Sequence, residues 1–134
     1  MSQEQFTADI QQGYTFKGAS IVLGGAMLNG QSLPGIQVKV PLKTLNRHGL
    51  IAGATGTGKT KSIQLFSEQL ARNGISVLMM DIKGDFSGIA APGSLNPKIE
   101  ERAAAIGITW TPQASPVELM SISKQDGVRL RATV

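Results

Sequence analysis

The chain has 134 residues and a net charge of +4, with 41% hydrophobic and 16% charged residues. That is long enough for one domain with a real core, and the balance is that of a soluble globular protein, which sets aside disordered and fibrous classes. The lack of cysteine excludes disulfides and thiolate metal sites. No apolar run reaches the ~20 residues of a membrane helix. The polar opening MSQEQFTADIQQ lacks the basic end and apolar centre of a secretory signal, so the cytoplasm is the expected compartment.

Taken in order, residues 1–13 are a polar segment expected to be frayed or loosely helical. Residues 14–45 form a small β unit. Its strand-like runs are Ala19–Leu23 and Ile36–Val40, punctuated by turns expected at Gly24-Gly25, Asn29-Gly30 and Pro34-Gly35. Arg47 and His48 then lead into a short apolar run, Gly49–Ala52, suited to a buried strand. A helix is predicted over Lys59–Asn73, with Ile63, Phe66 and Leu70 on its apolar face and Asn73-Gly74 as its stop. Ile75–Met80 is nearly all apolar and reads as a parallel strand covered on both faces. Asn96 and Pro97 open a second helix, with Ile99, Ala103 and Ile106 facing inward and Gly107 ending it. Ile108–Trp110 and Val117–Ile122 read as further strands, and Trp110 as a partly buried core residue rather than a cover for a base.

Between the first of these strands and its helix stands GATGTGKT, Gly53–Thr60, which matches the Walker A pattern G-x-x-x-x-G-K-[ST]. A polyphosphate is held there by backbone N–H groups turned inward, and Gly53, Gly56 and Gly58 permit the turn because they lack Cβ. Lys59 places a positive charge against the β- and γ-phosphates, and the Thr60 hydroxyl completes the shell of a Mg²⁺ ion. The following helix adds its N-terminal N–H groups and dipole. The full nucleotide-binding set is Gly53, Ala54, Thr55, Gly56, Thr57, Gly58, Lys59, Thr60 and Lys61. A dinucleotide-binding turn would need a third glycine where Lys61 stands.

Strand, helix and strand in this order make a βαβ unit, which would bring Asp81 to the same sheet edge as the glycine loop. Asp81 then either acts through water on Mg²⁺, holds Thr60 or Lys59, or caps the loop that begins at Ile82. Asp85 is a second carboxylate near that edge, able to orient water or to form the turn. No acidic pair follows an apolar strand in the last third of the chain, so nucleotide binding is expected more firmly than turnover. Between Asp9 and Glu68 the charges are Lys17, Lys39, Lys43, Arg47, Lys59 and Lys61 with no acidic residue. This is a favourable field for a nucleotide, or else a solvated basic face.

The runs NRHGLIAGATGTGKT (46–60), MDIKGDFSGIA (80–90), TPQASPVEL (111–119) and VRLRATV (128–134) resemble the HerA/FtsK superfamily of P-loop ATPases, and within it the bacterial HerA-like ATPases. The resemblance implies an α/β fold with an ATP-binding, RecA-type parallel sheet over residues 46–134, preceded by the small antiparallel β unit. It further implies ATP and Mg²⁺ as cofactors, a homo-oligomeric ring such as a hexamer, and in related proteins translocation of DNA, with no membrane partner. Lys59, Asp81 and Asp85 are the catalytic candidates, and Thr60 and Asp81 the metal ligands. Members of the superfamily run beyond the position of Val134, so the sheet is expected to be incomplete and the chain to be the N-terminal part of such an ATPase. The alternatives are a fragment that binds nucleotide or docks on relatives without hydrolysis, and, more remotely, a nucleoside kinase. A kinase would want a lid with several arginines, and only Arg129 and Arg131 cluster.

Overall fold

The structure is a computed structural model and describes residues 1–122 and 127–130. The last four residues of the VRLRATV run, 131–134, which include Arg131 and Val134, lie outside the described residues.

The polar N-terminal segment is a defined helix, α1 (Gln3–Tyr14), where frayed or loosely helical chain was expected. Its start is encoded locally by Ser2-x-x-Gln5, a capping-box spacing, and the Gln5 N–H donates to Ser2 Oγ at 3.2 Å. None of its residues is buried, and it lies against the second strand of the hairpin that follows.

That hairpin pairs β1 (Ser20–Leu28) with β2 (Gln31–Pro41) in antiparallel register, with Val22 opposite Lys39 and Leu28 opposite Gln31. The small antiparallel unit expected from the alternating runs is present, and its strands are longer than those runs. Asn29 and Gly30 form the turn, with φ of 50° and 79°. Two central residues at positive φ match the right-handed twist of the flanking strands, as in a type I′ turn. Gly24-Gly25 and Pro34-Gly35 are not turns but lie inside the strands. The register shifts between Val22 and Gly24 and again between Gly25 and Met27, so these glycines mark irregular pairing instead.

The second helix, α2 (Lys59–Arg72), and the third, α3 (Pro97–Ile106), form where their capping signals stand. Asn96 Oδ1 accepts the Lys98 N–H at 2.9 Å, Pro97 occupies the first turn, and Gly107 closes α3 in the left-handed conformation at φ 74°. A Cβ at Gly107 would lie 2.4 Å from the Gly35 nitrogen, and one at Gly25 would lie 3.1 Å from Ile106 Cγ2. The end of α3 therefore seats directly on the irregular part of the hairpin. Among the described residues the buried apolar side chains are Ile21 and Ala26 of β1, Leu33 and Pro41 of β2 and Ala103 of α3. Hairpin and α3 thus make the core.

The parallel RecA-type sheet expected from residues 49–52, 75–80, 108–110 and 117–122 is not formed among the described residues. Parallel pairing is confined to β3 (Met120–Ser121) and β4 (Val128–Arg129), with Met120 opposite Val128. Leu50, Leu78 and Met80 are 89%, 83% and 91% exposed, so the runs meant for a double-sided sheet face solvent. An apolar run becomes a strand only when neighbours accept and supply its N–H and C=O bonds, and here no ladder does so. The βαβ placement of Asp81 falls with the sheet. Among the described residues no helix is long and apolar enough to cross a membrane.

Candidate functional site

The glycine loop folds around one of its own carbonyls. Ala54 O accepts the Thr57 hydroxyl at 2.8 Å, the Thr57 N–H at 3.4 Å and the Lys59 ammonium at 2.7 Å. Each motif glycine has a steric reason to be glycine. Gly56 and Gly58 hold φ of 81° and 94°, which side chains tolerate poorly, and a Cβ on Gly53 would stand 2.6 Å from Thr57 Oγ1. Gly58 caps α2 in the left-handed conformation, and the first bond inside the helix runs from the Ser62 N–H to Gly58 O at 2.9 Å. The amides of Lys59, Thr60 and Lys61 are therefore the ones a helix leaves without internal acceptors. Residues 53–58 are exposed, and Lys59 and Thr60 are half-buried.

Such a loop, with the free amides of a helix start beside it and a lysine in contact with its own backbone, is suited to an oxyanion. The Lys59 ammonium rests on a neutral carbonyl, a partner that a phosphate oxygen outcompetes electrostatically.

Asp81 is committed elsewhere. Its Oδ1 accepts the N–H groups of Lys83 at 3.1 Å and Gly84 at 2.9 Å, and its Oδ2 accepts that of Phe86 at 2.8 Å. The bond from Phe86 does most to hold this carboxyl below the usual carboxylate range; slight burial opposes it, and the Lys83 and Gly84 bonds add to the lowering. Of the roles open to Asp81, capping the turn after Met80 is the one its hydrogen bonds display. Asp85 is exposed, and its backbone carbonyl accepts Gln64 Nε2 at 3.2 Å. The same Gln64 amide accepts from Lys61 Nζ at 3.0 Å, so one side chain links the first turn of α2 to the 81–86 turn. Gln64 belongs to no motif, and nothing in the sequence marks it beyond its place one helical turn after Thr60.

The remaining conspicuous residues stand apart from the loop chemistry. Arg47 and His48 are exposed ahead of it. Trp110 is half-buried, and a Cβ on Gly93 would touch its ring at 3.3 Å, so the indole lies over the 87–96 loop. Gln113–Pro116 border a cavity of about 90 Å³ with Glu68, Ala71 and Arg72 at the end of α2. Among the described residues no group of three His, Cys, Asp or Glu could hold a metal ion by itself.

A glycine-rich loop running into a helix defines the class of site. The chain belongs to the family of HerA-like helicase C-terminal domains, whose model matches residues 26–134. It is 33% identical over 66 residues to a DNA double-strand break repair helicase HerA from Sulfolobus acidocaldarius, and 32% identical over 66 residues to the protein of that name from Saccharolobus solfataricus. Each alignment covers 48% of this chain and 13% of the relative, so the chain matches only a small part of those proteins. No solved structure matches it.

Proposed function

We propose that this chain binds a nucleoside triphosphate, ATP, through Gly53–Lys61, as the nucleotide-binding portion of a HerA-like ATPase acting on DNA. The observation that carries the reading is the loop that curls through left-handed Gly56 and Gly58 into α2 and rests its own Lys59 on Ala54 O. In this reading the loop amides and the first N–H groups of α2 cradle the phosphates. Lys59 leaves Ala54 O to neutralise the β- and γ-oxygens, while Lys61 adds charge at the entrance. Thr60 is the residue that would hold Mg²⁺, with phosphate oxygens and water as the other ligands, since among the described residues no cluster of acidic side chains supplies them. The bound ion supplies charge neutralisation across the phosphates.

The units of the reading are a polar helix over residues 1–13, a β unit over 14–45 and the nucleotide-binding part over 46–134. The family supports the helicase context, and the relatives' names support DNA as the substrate; a cytoplasmic, ring-forming homo-oligomer such as a hexamer is part of the same proposal. A second reading is favoured by one specific observation: both Asp81 oxygens are engaged by their own turn. A chain in that state binds nucleotide without turning it over.

The deciding experiment titrates a fluorescent ATP analogue, with and without Mg²⁺, into the wild type and Lys59→Ala while phosphate release is followed. Binding that weakens in the variant without release supports nucleotide capture alone. Release that depends on Lys59 supports hydrolysis, and an absence of binding overturns the nucleotide reading.

A further inference from the structure

We infer that Gln64 is a positioning residue that ties occupancy of the 53–60 loop to the state of the 81–86 turn; this rests on the nucleotide reading above. Gln64 sits where both ends of a planar amide can be used. Its oxygen accepts from Lys61 Nζ at 3.0 Å, and its nitrogen donates to Asp85 O at 3.2 Å. Only a side chain with an acceptor and a donor on one short arm can bridge an ammonium to a carbonyl in this way.

The far end of the bridge is a self-contained unit. One carboxylate gathers the N–H groups of Lys83, Gly84 and Phe86, Gly84 supplies a positive φ of 78°, and Ser87 Oγ donates to Gly84 O at 3.1 Å. A turn organised around a single anion moves as one piece. It carries Asp81 and Asp85, and Gln64 ties it to α2. The near end is the first turn of α2, whose free amides and Lys59 and Lys61 charges are the groups a triphosphate engages. Fixing that turn by an anion fixes Lys61 and Gln64, and with them Asp85 O. Gln64 thereby sets where the two carboxylates stand relative to the loop.

The test reads amide hydrogen exchange at Lys83, Gly84 and Phe86, together with affinity for a fluorescent ATP analogue in Mg²⁺, in the wild type, Gln64→Ala, Gln64→Glu and Lys59→Ala. In the wild type, saturating analogue is expected to slow exchange at these amides by roughly threefold or more. In both Gln64 variants that increment is expected to vanish while affinity changes by less than about twofold, since Gln64 itself touches no phosphate. Gln64→Glu keeps an acceptor for Lys61 and sets a carboxylate oxygen, which cannot donate, against Asp85 O, so it breaks the far bond and carries the test if the alanine variant folds poorly. A purely structural Gln64 would shift exchange equally with and without analogue, and that outcome overturns the inference. So does a wild type that binds the analogue with no change at the turn. Failure of the wild type to bind at all overturns the nucleotide reading and this inference with it. Binding lost in Lys59→Ala, with the increment intact in the Gln64 variants, overturns the inference alone.

Discussion

Gln69 of α2 and Val22 of β1 are joined by a reciprocal pair of hydrogen bonds: the Val22 N–H donates to Gln69 Oε1 at 2.7 Å, and Gln69 Nε2 donates to Val22 O at 2.8 Å. A side-chain amide thus stands where a third strand would, 47 residues away in sequence, beside the register shift that follows Val22. It blunts an edge that would otherwise present unpaired peptide groups. Gln69→Ala leaves both Val22 groups without these partners and is expected to cost about 1–3 kcal/mol. Gln69→Glu keeps an acceptor for the N–H and brings a carboxylate against Val22 O, so it is expected to rescue little. Urea unfolding of the three proteins checks this, and an unchanged midpoint in Gln69→Ala would remove the clasp from the account of stability.

Lys59→Ala is expected to weaken binding of an ATP analogue about ten- to a hundredfold, the value of one charge-assisted contact. Stability should change little, because the ammonium's partner is a carbonyl of the exposed loop. Equal affinity in the two proteins would place the phosphates elsewhere.

Gly107→Ala forces a side chain into a left-handed residue at φ 74° and drives Cβ to 2.4 Å from the Gly35 nitrogen. The backbone conformation alone costs about 1–2 kcal/mol, and the collision with hairpin backbone adds to it. Gly74→Ala shares the positive φ, also 74°, but has open space around its Cβ, so it isolates the conformational part. Thermal melts of the two variants should rank Gly107→Ala as the more damaging.

Asp81 predicts a pH dependence of known sign. Its carboxyl is held below the usual range by N–H donors of its own turn, so the contribution of the turn is fully present above the ordinary aspartate value. It is lost as pH falls through the lowered value, when protonation removes the acceptor. The amide resonances of Gly84 and Phe86 should therefore titrate together at a midpoint below the ordinary aspartate value. Asp81→Asn should abolish the transition, and a midpoint at the ordinary value would show that the three bonds are not kept in solution.

The sequence by itself determined the local devices. Ser2-x-x-Gln5 starts α1, Asn29-Gly30 makes the hairpin turn, Asn96-Pro97 and Gly107 bound α3, and the motif glycines set the left-handed angles of the 53–58 loop. Each depends on neighbours a few residues away, whose geometry is encoded by side-chain size and hydrogen-bonding capacity. The tertiary structure decided what those devices meet. Apolar runs at 49–52 and 75–80 encode a wish for burial but not the identity of a partner, and without a ladder they are not strands among the described residues. Likewise, the sequence left Asp81 open between an ion and its own turn, and only the folded backbone shows three N–H groups converging on it. Gln64 and Gln69 carry no sequence signal, because an amide's role is fixed by what lies across from it: Asp85 O for one and Val22 for the other.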